Sequence, residues 1–597
     1  MCEKPIENEI IGLREIRGLS FPSFSIENRS LWDGLDEKIR KNILNRAEDI
    51  EFSSSDYITL SLFRDFKRTG NRKNFENIYF EKRRKLSNLV LAECIENKGR
   101  FISRIEEGIW SLLGEPDWVL PPHNSYIRDT EQEDTPLLSR PVLDLFSCET
   151  GEILALARCT LKKRLNPIIS KDVEWAIYNR IVLPYISDSF WWMGGQGMLN
   201  NWAPWCTQNV MLAALSIDID EKTRFKVLRQ AVSTLDLFID SYEDDGACPE
   251  GAVYYHAAAL TLFSALKIIE EAAGKDFSSL YRSCKIKAMA AYIEDVHIAK
   301  DIYLNYADSS PKAGHLGARE FLFAKATGNN ALMHHAALDY MEYGFEEDDN
   351  DYNLYYKLLA LSSYKEIKEE ARRNASGEKP PFKVFNKSEL AIYREGDVTF
   401  AIKGGNNGES HNHNDVGSII LYKGENPLLI DIGVETYTKT TFSPDRYTLK
   451  PMQSAYHNLV NFQGLMQRDG SRYRAKNVFF DESSSSLDLT DAYPETEKLR
   501  SYVRSTYFDR KNKRIHIKEV LDTTLVPALS LISQEKPEAE GCTLSYPSFC
   551  ITLPEHLESE VEEMPVTDAR LRKAWPEKLY RTTLTLKGTT EWIISFK

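Results

Sequence analysis

A short polar run in the second half of the chain holds residues that can bind a metal ion and transfer a proton. Glu409–Asp415 reads Glu-Ser-His-Asn-His-Asn-Asp, and in an extended chain the side chains of His411 and His413 point the same way. Asp431, at the end of an apolar run, and His457 follow. Two imidazoles and a carboxylate are an ordinary ligand set for a divalent metal. One imidazole of the His-x-His pair can then bind the metal while the other transfers a proton.

Two clusters in the first half of the chain combine polar and aromatic side chains. Asn200–Trp205 places two amides beside two indoles, directly after the glycine-rich segment 194–197. Amides can bind a carboxylate and indole faces can stack on sugar rings, although the same pattern suits a helix cap over an aromatic core. Farther along, Tyr254 and Tyr255 offer a phenol as a general acid or base, or only helix packing.

The spacing of apolar residues predicts helices in the first part of the chain. From about residue 31 to residue 364 they recur every three or four positions, as in Val227–Phe238, without a regular sequence repeat. A row of amphipathic helices favours an α/α toroid or solenoid, because each helix must bury its apolar stripe against neighbours. The polar segment 372–381, which ends in two prolines, predicts a linker.

After this segment the apolar period changes to two, which predicts β-strands. Segment 502–517 reads as two strands around a polar turn, and segment 583–596 reads as a closing hairpin. We therefore predict an α-then-β protein, with an N-terminal α/α toroid (an incomplete barrel) over residues 1–375 and a C-terminal antiparallel β-sandwich over residues 382–597.

Composition and charge limit the partners of the protein. The 597 residues are 42% hydrophobic, which is enough for two sizeable cores. The 75 basic and 89 acidic residues give a net charge of −14, so we expect neither a nucleic acid nor an anionic membrane as partner. We also expect no membrane span, because no run of about 18 apolar residues stands out.

The N-terminus and the cysteines indicate the cellular compartment of the protein. The first residues lack the apolar core and cleavage site of a signal peptide, so we expect a cytoplasmic protein, or a periplasmic or secreted one if a leader has been removed. The nine cysteines form no CxxC pair, and we expect reduced structural thiols, with a nucleophile near Cys206 or Cys248 as the unsupported alternative.

Four motifs in the second half stand in the order found in a known family: Ser410–Gly417, Leu429–Gly433, Phe442–Tyr447 and Met452–Asn458. On these motifs the chain resembles the heparinase II/III-like polysaccharide lyases. Weaker similarity extends upstream, so the resemblance covers roughly residues 100 to 470. It implies the family's fold, an α/α toroid followed by an antiparallel β-sandwich.

The resemblance also implies roles for individual residues. Asn201 would bind the carboxylate of a uronic acid, Tyr254 would be the catalytic phenol and His411 the catalytic imidazole. Two positions depart from the family pattern: Trp202 stands where some members have histidine, and Tyr255 competes with Tyr254 for one role. The ligands of one structural divalent metal ion, usually zinc, with manganese or calcium as alternatives, would be His413, Asp431 and His457.

The implied reaction is β-elimination on a uronic-acid-containing glycan, in particular a glycosaminoglycan, to give an unsaturated uronate. Asn201 would take up the developing enolate charge. His411, with a reference pKa of about 6.5, could abstract the proton while Tyr254 protonates the leaving oxygen, or Tyr254 could do both in a syn reaction. Candidate substrate contacts are Trp202, Tyr255, His123 and Arg446, the last two with a structural ion pair or cap as the alternative.

Three other functions remain open at this point. A metal-assisted glycan hydrolase, an alginate-type lyase of the same fold and a glycan-binding protein without activity would each use these residues. The sequence leaves a homodimer open as well. Because Asn201 and Tyr254 come from one half and His411 from the other, we expect the catalytic cleft where the halves meet.

Overall fold

The structure is a computed structural model that describes residues 4–127, 130–194, 199–344, 352–373, 379–438, 440–555 and 558–597. Most of the predicted glycine-rich segment before Asn200 and the middle of the predicted linker lie outside these residues. The chain forms two compact units: unit 1 comprises Met1–Tyr242, His256–Ala290 and His315–Ser376, and unit 2 comprises Glu243–Tyr255, Ala291–Gly314 and Gly377–Lys597. Two segments that precede the predicted linker thus belong to the β-rich unit, and the boundaries at 375 and 382 stay a prediction.

The first part of the chain is helical, as predicted. Its α-helices, in chain order, are α1 (Pro5–Ile10), α2 (Arg29–Trp32), α3 (Glu37–Glu48), α4 (Leu60–Thr69), α5 (Lys73–Glu96), α6 (Ile102–Leu113), α7 (Leu145–Leu161), α8 (Pro167–Ile177), α9 (Leu183–Ser187), α10 (Trp202–Leu215), α11 (Glu221–Ser241), α12 (Ala252–Tyr255), α13 (Ala259–Ala273), α14 (Ser278–Tyr281), α15 (Cys284–Val296), α16 (Ala318–Thr327), α17 (Asn330–Asp339) and α18 (Leu354–Ala371).

Helix α10 shows why these sequences form a packed helical body. Nearly all of its residues are buried, and it packs against α7, α11 and α13. A helix that is apolar on every side must be surrounded by other helices, which is the situation of a core helix. The two indoles singled out in the sequence, Trp202 and Trp205, stand at its start, directly after Asn201.

One apolar stretch in the described part of the chain bears on the expectation that the chain has no membrane span. Ala252–Ala273 has the length of a membrane-crossing helix and contains an 18-residue window with a mean hydropathy of 1.4. In the fold 72% of that window is buried inside the protein, which is typical of a core helix, so composition alone is weak evidence for a span.

The cysteines of the described residues are free thiols. Burial raises the pKa of the Cys206 thiol well above its usual value, which disfavours the thiolate that a nucleophile requires. Cys206 is therefore an inert core residue, in line with the expected structural role.

The β-strands are β1 (His297–Ala299), β2 (Ile302–Tyr303), β3 (Phe382–Phe385), β4 (Leu390–Glu395), β5 (Val398–Lys403), β6 (Asn406–Asn407), β7 (Ile419–Lys423), β8 (Asn426–Leu429), β9 (Val460–Phe462), β10 (Gly470–Arg474), β11 (Lys476–Phe480), β12 (Ser484–Asp488), β13 (Leu499–Asp509), β14 (Arg514–Thr523), β15 (Pro527–Ser533), β16 (Glu538–Glu540), β17 (Thr543–Ser545), β18 (Phe549–Thr552), β19 (Ser559–Pro565), β20 (Lys578–Thr585) and β21 (Thr590–Phe596).

The strands of unit 2 form three main antiparallel sheets, with orders β11-β12-β13-β14-β21-β18-β17-β16, β3-β4-β5-β7-β8 and β19-β20-β15-β9. Side chains from all three share one apolar core, for example Phe400, Trp592 and Leu529, which is the layered packing of a sandwich. The predicted fold class, helices followed by an antiparallel β-region, is confirmed.

One strand pairing differs from the prediction. The 502–517 hairpin forms as β13 and β14, but the predicted closing hairpin is wrong. β20 pairs with β15 and β19, whereas β21 pairs with β14 and β18 in another sheet. Adjacent strands in sequence cross between sheets here because both sheets present apolar faces to the same core, and alternation alone does not choose between them.

A buried ion pair in the sandwich fixes two loops that carry candidate site residues. Arg504 of β13 and Glu519 of β14 lie 2.7 Å apart, both completely buried. The Arg504 guanidinium also donates to the carbonyls of Gly417 and Asn458, each at 2.7 Å. A buried guanidinium needs all of these acceptors, so the loops that end at Gly417 and Asn458 are held in place.

Candidate active site and metal centre

The His-x-His segment is a loop, not the extended strand that was predicted. His411 has a backbone φ of 56°, in the left-handed region that residues other than glycine rarely adopt. The buried ammonium of Lys403 lies 3.0 Å from carboxylates of both Glu409 and Asp415 and so closes the two ends of the loop. Strained backbone that the surroundings hold in this way is typical of functional sites.

Asp308 is the centre of the candidate site in unit 2. This carboxylate is completely buried and accepts from four donors: His411 Nδ1 at 2.7 Å, His413 Nε2 at 3.1 Å, Arg446 Nη2 at 2.5 Å and the Tyr437 hydroxyl at 3.1 Å. Burial raises the pKa of Asp308, but these donors outweigh it and hold the pKa far below its usual value. Asp308 is therefore a permanent anion and can only accept hydrogen bonds.

Tyr254, and not Tyr255, reaches this cluster. The Tyr254 hydroxyl shares a hydrogen bond with the Tyr437 hydroxyl, and its ring is stacked on His411 with 4.8 Å between centroids. Burial raises the pKa of Tyr254 to about 12, although the Tyr437 contact lowers it in part. The Tyr255 ring is fully buried and lies 6.1 Å from the ring of Tyr292, so its place is in the core.

Two carboxylates flank the His411 imidazole. Nδ1 faces Asp308, and Nε2 lies 3.2 Å from Glu250 Oε2. Burial lowers the pKa of His411, but the hydrogen bond to Asp308 and the adjacent Glu250 carboxylate raise it to about 9. The ring is thus an imidazolium at neutral pH, which differs from the expectation of a free base based on the unperturbed pKa.

Two glycines let the backbone approach the loop that carries Asp308. Gly251 has φ +86°, and a Cβ there would lie 2.6 Å from Ser309 Cβ and 3.0 Å from the Tyr306 carbonyl oxygen. Gly433 has φ +77°, and a Cβ there would lie 2.9 Å from the Ser309 carbonyl oxygen. Both positions need glycine, because a side chain would push away the loop and with it Asp308.

We expect Gly251→Ala to damage both stability and activity. The added methyl group combines left-handed strain with a clash, for a loss of about 1–3 kcal/mol, and it shifts Glu250 and Tyr254. Gly396→Ala is the matched control, because Gly396 also has positive φ but a Cβ there meets nothing within 4 Å. Thermal unfolding and kcat are measured for both. Equal kcat values for the two variants would contradict a positioning role for the close approach at Gly251.

His413, Asp431 and His457 lie together, as predicted for a metal site. Each offers a ligand atom within 4.8 Å of the others, and all three are buried. Burial raises the pKa of Asp431, but His457 and His413 beside it hold the pKa below its usual value. Asp431 Oδ1 accepts from the amide of Gly433 at 2.8 Å, which leaves Oδ2 to face the two imidazoles.

The hydrogen bonding of these three residues fits a divalent metal ion. His413 Nδ1, Asp431 Oδ2 and both ring nitrogens of His457 are buried without a hydrogen-bond partner. His457 Nδ1 and Asp431 Oδ2 approach to 2.9 Å without the geometry of a hydrogen bond. Buried polar atoms without partners are costly, and one metal ion would satisfy His413 Nδ1, Asp431 Oδ2 and one of the two ring nitrogens of His457. The neighbouring Asn458 side chain, bonded to Ile419, Ile430 and Ile532, keeps the backbone at His457 fixed.

The other predicted contacts have different surroundings. Arg446 donates to Asp308 and to the carbonyls of Asn412 and Thr441, so its guanidinium serves as a brace of the loop. This supports the structural alternative that the sequence left open for Arg446. In unit 1, His123 Nδ1 lies 2.8 Å from Asp144 Oδ2, the N-cap of α7, which supports the same alternative for His123.

The Asn-Asn-Trp segment lies at the N-terminus of α10 in unit 1. Asn201 is the N-cap residue and is buried, but its side chain makes no capping hydrogen bond. The position of the segment at a helix start agrees with the alternative of a helix cap over an aromatic core, although the Asn201 side chain itself adds no capping hydrogen bond. Trp202 packs between the rings of His123 and Trp191, each with 4.8 Å between centroids. A helix N-terminus carries partial positive charge, which suits an anionic group.

Four residues of the cluster were missed from the sequence: Asp308, Glu250, Tyr437 and Arg570. Arg570 donates to the Asp308 carbonyl at 3.0 Å, and its guanidinium lies 4.6 Å from the centre of the Tyr437 ring. Asp308 stands in an irregular loop with no periodic signal in the sequence. Arg570 lies about a hundred residues beyond the region of resemblance, which ends near residue 470. A search for polar residues near the Gly251 and Gly433 turns would have pointed to Glu250 and Tyr437, whereas Asp308 and Arg570 have no such signal in the sequence.

Comparison with known proteins agrees with the fold and the motifs. Residues 377–524 match the family model "Heparinase II/III-like, C-terminal". The chain therefore carries a heparinase II/III-like C-terminal domain, and the resemblance inferred from the motifs is confirmed. No curated protein sequence matches the chain.

Solved structures show the same architecture at low sequence identity. A heparinase III is 10% identical with a TM-score of 0.58, covering 97% of this chain and 92% of that one. A mutant of a heparan sulfate lyase from Pedobacter heparinus is 12% identical with a TM-score of 0.56, covering 99% and 93%. A mutant of a chondroitin AC lyase from Streptomyces coelicolor is 10% identical with a TM-score of 0.50, covering 96% and 82%. At these identities the likeness establishes the fold alone.

Proposed function

We propose that the protein is a polysaccharide lyase that cleaves uronic-acid-containing glycans, in particular glycosaminoglycans, by β-elimination. The observation that carries this proposal is the Tyr254 phenol stacked on the His411 imidazolium beside a buried His-Asp-His group. Two further observations support the substrate class. Residues 377–524 match a heparinase-like domain, and two proteins of similar structure are named as a heparan sulfate lyase and a chondroitin AC lyase.

Elimination requires removal of the C5 proton, cleavage of the bond from C4 to the leaving oxygen, and protonation of that oxygen. Tyr254 is the better proton carrier of the pair, because both His411 nitrogens face carboxylates. Burial raises the pKa of Tyr254 to about 12, and the positive charge of His411 beside the ring would offset this and favour the phenolate. The phenolate, formed by loss of the hydroxyl proton to solvent, abstracts the C5 proton, and the phenol formed then protonates the leaving oxygen and returns to the phenolate. We therefore favour the syn scheme, with Asn201 proposed to neutralise the uronate carboxylate, because the C5 proton is too weakly acidic while that carboxylate keeps its full charge.

The direct test is a panel of hyaluronan, chondroitin, heparan sulfate and alginate. The ultraviolet chromophore of an unsaturated uronate should appear with at least one glycosaminoglycan. Chain cleavage without this chromophore would indicate the metal-assisted hydrolase, and elimination of alginate alone would indicate the alginate-type lyase. Binding without cleavage on every polymer would reject a lyase.

We further propose that the buried His-Asp-His group binds one zinc ion in a structural role. The ion would lie at about 2.0–2.2 Å from nitrogen and oxygen atoms of His413, Asp431 and His457. When bound, zinc supplies a positive charge and a cross-link between the ends of β-strands and loops. His413 and His411 share the acceptor Asp308, so a fixed His413 also fixes the neighbouring catalytic loop.

Removal of the ion should destabilise the protein. A metal that binds only the folded state at about 100 times its Kd contributes about 3 kcal/mol, which chelation removes. The measurement is thermal unfolding before and after chelation, with metal content determined by elemental analysis and zinc added back. An unchanged Tm after verified loss of metal would contradict the structural role. If the metal activated a water instead, turnover would vanish on chelation at temperatures where the fold persists.

A further inference from the structure

We infer that Asp308 is a positioning residue that orients both the imidazole of His411 and, through the Tyr437 hydroxyl, the phenol of Tyr254. This inference rests on the proposed lyase function for its kinetic consequences but not for its structural ones. It concerns a residue far from the His-x-His loop in sequence, in the segment Ala291–Gly314 of unit 2.

The two oxygens of Asp308 serve different partners. Oδ2 accepts from His411 Nδ1 at 2.7 Å and from the Tyr437 hydroxyl at 3.1 Å. Oδ1 accepts from Arg446 at 2.5 Å and from His413 Nε2 at 3.1 Å. A carboxylate can accept all four hydrogen bonds, and the two that come from His411 and His413 fix which ring nitrogen of each histidine carries the proton. Asp308 thus holds a proton on Nδ1 of His411 and leaves Nδ1 of His413 as a lone pair that faces the metal ligands.

Tyr437 connects this carboxylate to the other catalytic group. Its hydroxyl donates to Asp308 and shares a hydrogen bond with the Tyr254 hydroxyl. The Arg570 guanidinium lies on the Tyr437 ring and donates to the Asp308 carbonyl, so ring and loop are braced together. Tyr437 and Asp308 therefore link the Tyr254 phenol to the His411 imidazole and set the distance between them. Catalytic groups that are misplaced by about 1 Å lose about 100-fold in rate.

The loop that carries Asp308 is held in a single conformation by its surroundings. Ala307, the residue before it, has a φ of 56°, and the Asn305 amide donates to the Asp431 carbonyl at 3.1 Å. Ser309 Oγ accepts from the amide of Val253, which lies next to Tyr254. A non-glycine residue in the left-handed region is costly and persists only where the surroundings require it. The loop thus ties together the backbone of Tyr254 and of the metal ligand Asp431.

The variant Asp308→Asn tests the roles of the two carboxylate oxygens separately. Because Arg446 can only donate, the amide oxygen of the variant must occupy the Oδ1 side, and its NH2 group faces His411 and Tyr437. We expect zinc binding to be retained within about threefold, because the His413 side keeps its acceptor. In contrast, His411 must give up its Nδ1 proton to accept from the new NH2 group, and kcat on the best polymer of the panel should fall about 100-fold with KM nearly unchanged.

The first readout needs no substrate. The zinc-loaded full-length protein is labelled with 15N in the histidine rings, and His411 signals are assigned from His411→Gln. In the parent protein, His411 Nδ1 should resonate as a protonated nitrogen, and in Asp308→Asn it should move to the range of an unprotonated one. An unchanged His411 spectrum in a folded variant would overturn the inference, whether or not any polymer is cleaved.

The second variant, Tyr437→Phe, keeps the ring and removes only the hydroxyl that links Tyr254 to Asp308. We expect kcat to fall about 10- to 100-fold, with KM, zinc content and the His411 spectrum unchanged. Tyr393→Phe is the matched control, because it also removes a buried phenolic hydrogen bond, to the Ser484 carbonyl at 2.7 Å in the sandwich. It should lower Tm and leave kcat unaltered.

These outcomes separate the inference from the proposed function. If the parent protein eliminates a polymer and Tyr437→Phe loses no more activity than Tyr393→Phe, the link to Tyr254 is wrong and the lyase function stands. If no polymer is eliminated, the lyase function fails, and the His411 spectra alone decide the role of Asp308. Should Asp308→Asn fail to fold, Tyr437→Phe still decides the positioning of Tyr254.

Discussion

Tyr254→Phe is expected to abolish elimination while leaving glycan binding nearly intact. The substitution removes only the phenolic oxygen, which carries the proton, and keeps the ring stacked on His411 at 4.8 Å. Loss of a general acid or base typically reduces the rate about 10²- to 10⁴-fold, and the loss is at the upper end if one residue makes both transfers. The measurement is the rate of formation of the unsaturated product together with the Kd for the intact polymer.

The neighbouring residue provides the control. Tyr255→Phe should retain most activity, because the Tyr255 ring is buried beside Tyr292 and not beside His411. If Tyr255→Phe is inactive and Tyr254→Phe is active, the catalytic phenol is Tyr255. If both variants cleave every uronate polymer at the parental rate, the elimination mechanism proposed here is wrong.

Asn201→Ala is expected to reduce kcat about 10²- to 10³-fold, with a smaller loss of binding. The amide would no longer neutralise the uronate carboxylate as negative charge develops, and removal of one such donor has a cost of this size. The Asn201 side chain does not cap α10, so the loss of stability typical of a removed helix cap is not expected. The measurement is steady-state kinetics on the best polymer, with thermal unfolding in parallel.

Asn200→Ala is the matched control for Asn201→Ala. Asn200 Oδ1 accepts from the Trp202 amide at 3.1 Å, a local bond at the start of the helix. Its loss should cost about 0.5–2 kcal/mol of stability, as for a helix cap, while kcat stays within about twofold. Equal kinetic losses at both positions would mean that the segment is only structural, which would remove Asn201 from the proposed mechanism.

The candidate metal group was predictable because its chemistry is carried by residue type. His and Asp in buried β-type surroundings are costly without partners, so His413, Asp431 and His457 could be assigned to one site from type, order and family motif. The structure brings them within 4.8 Å of one another. The assumed geometry was wrong, however, since His411 has positive φ in a loop rather than a place on a strand.

The choice between adjacent residues depended on packing. The sequence could not separate Tyr254 from Tyr255, because neighbouring positions on a short helix differ only in direction. The structure turns Tyr254 to His411 and Tyr255 to the core. In the same way, Arg446 could be a substrate contact or a brace by sequence, and its four hydrogen bonds to protein acceptors make it a brace.

By itself, the sequence determined the order of a helical and an antiparallel β part, the family of the C-terminal domain and the residues able to bind a metal. These follow from local periodicity and residue type, which each segment carries independently of its surroundings. Tertiary structure alone decided the sheet to which β20 and β21 belong, and the meeting of Glu250, Asp308 and Arg570 with His411 and Tyr437. It also decided the charge of His411, because a pKa of about 9 comes from two carboxylates that lie more than a hundred residues away in sequence.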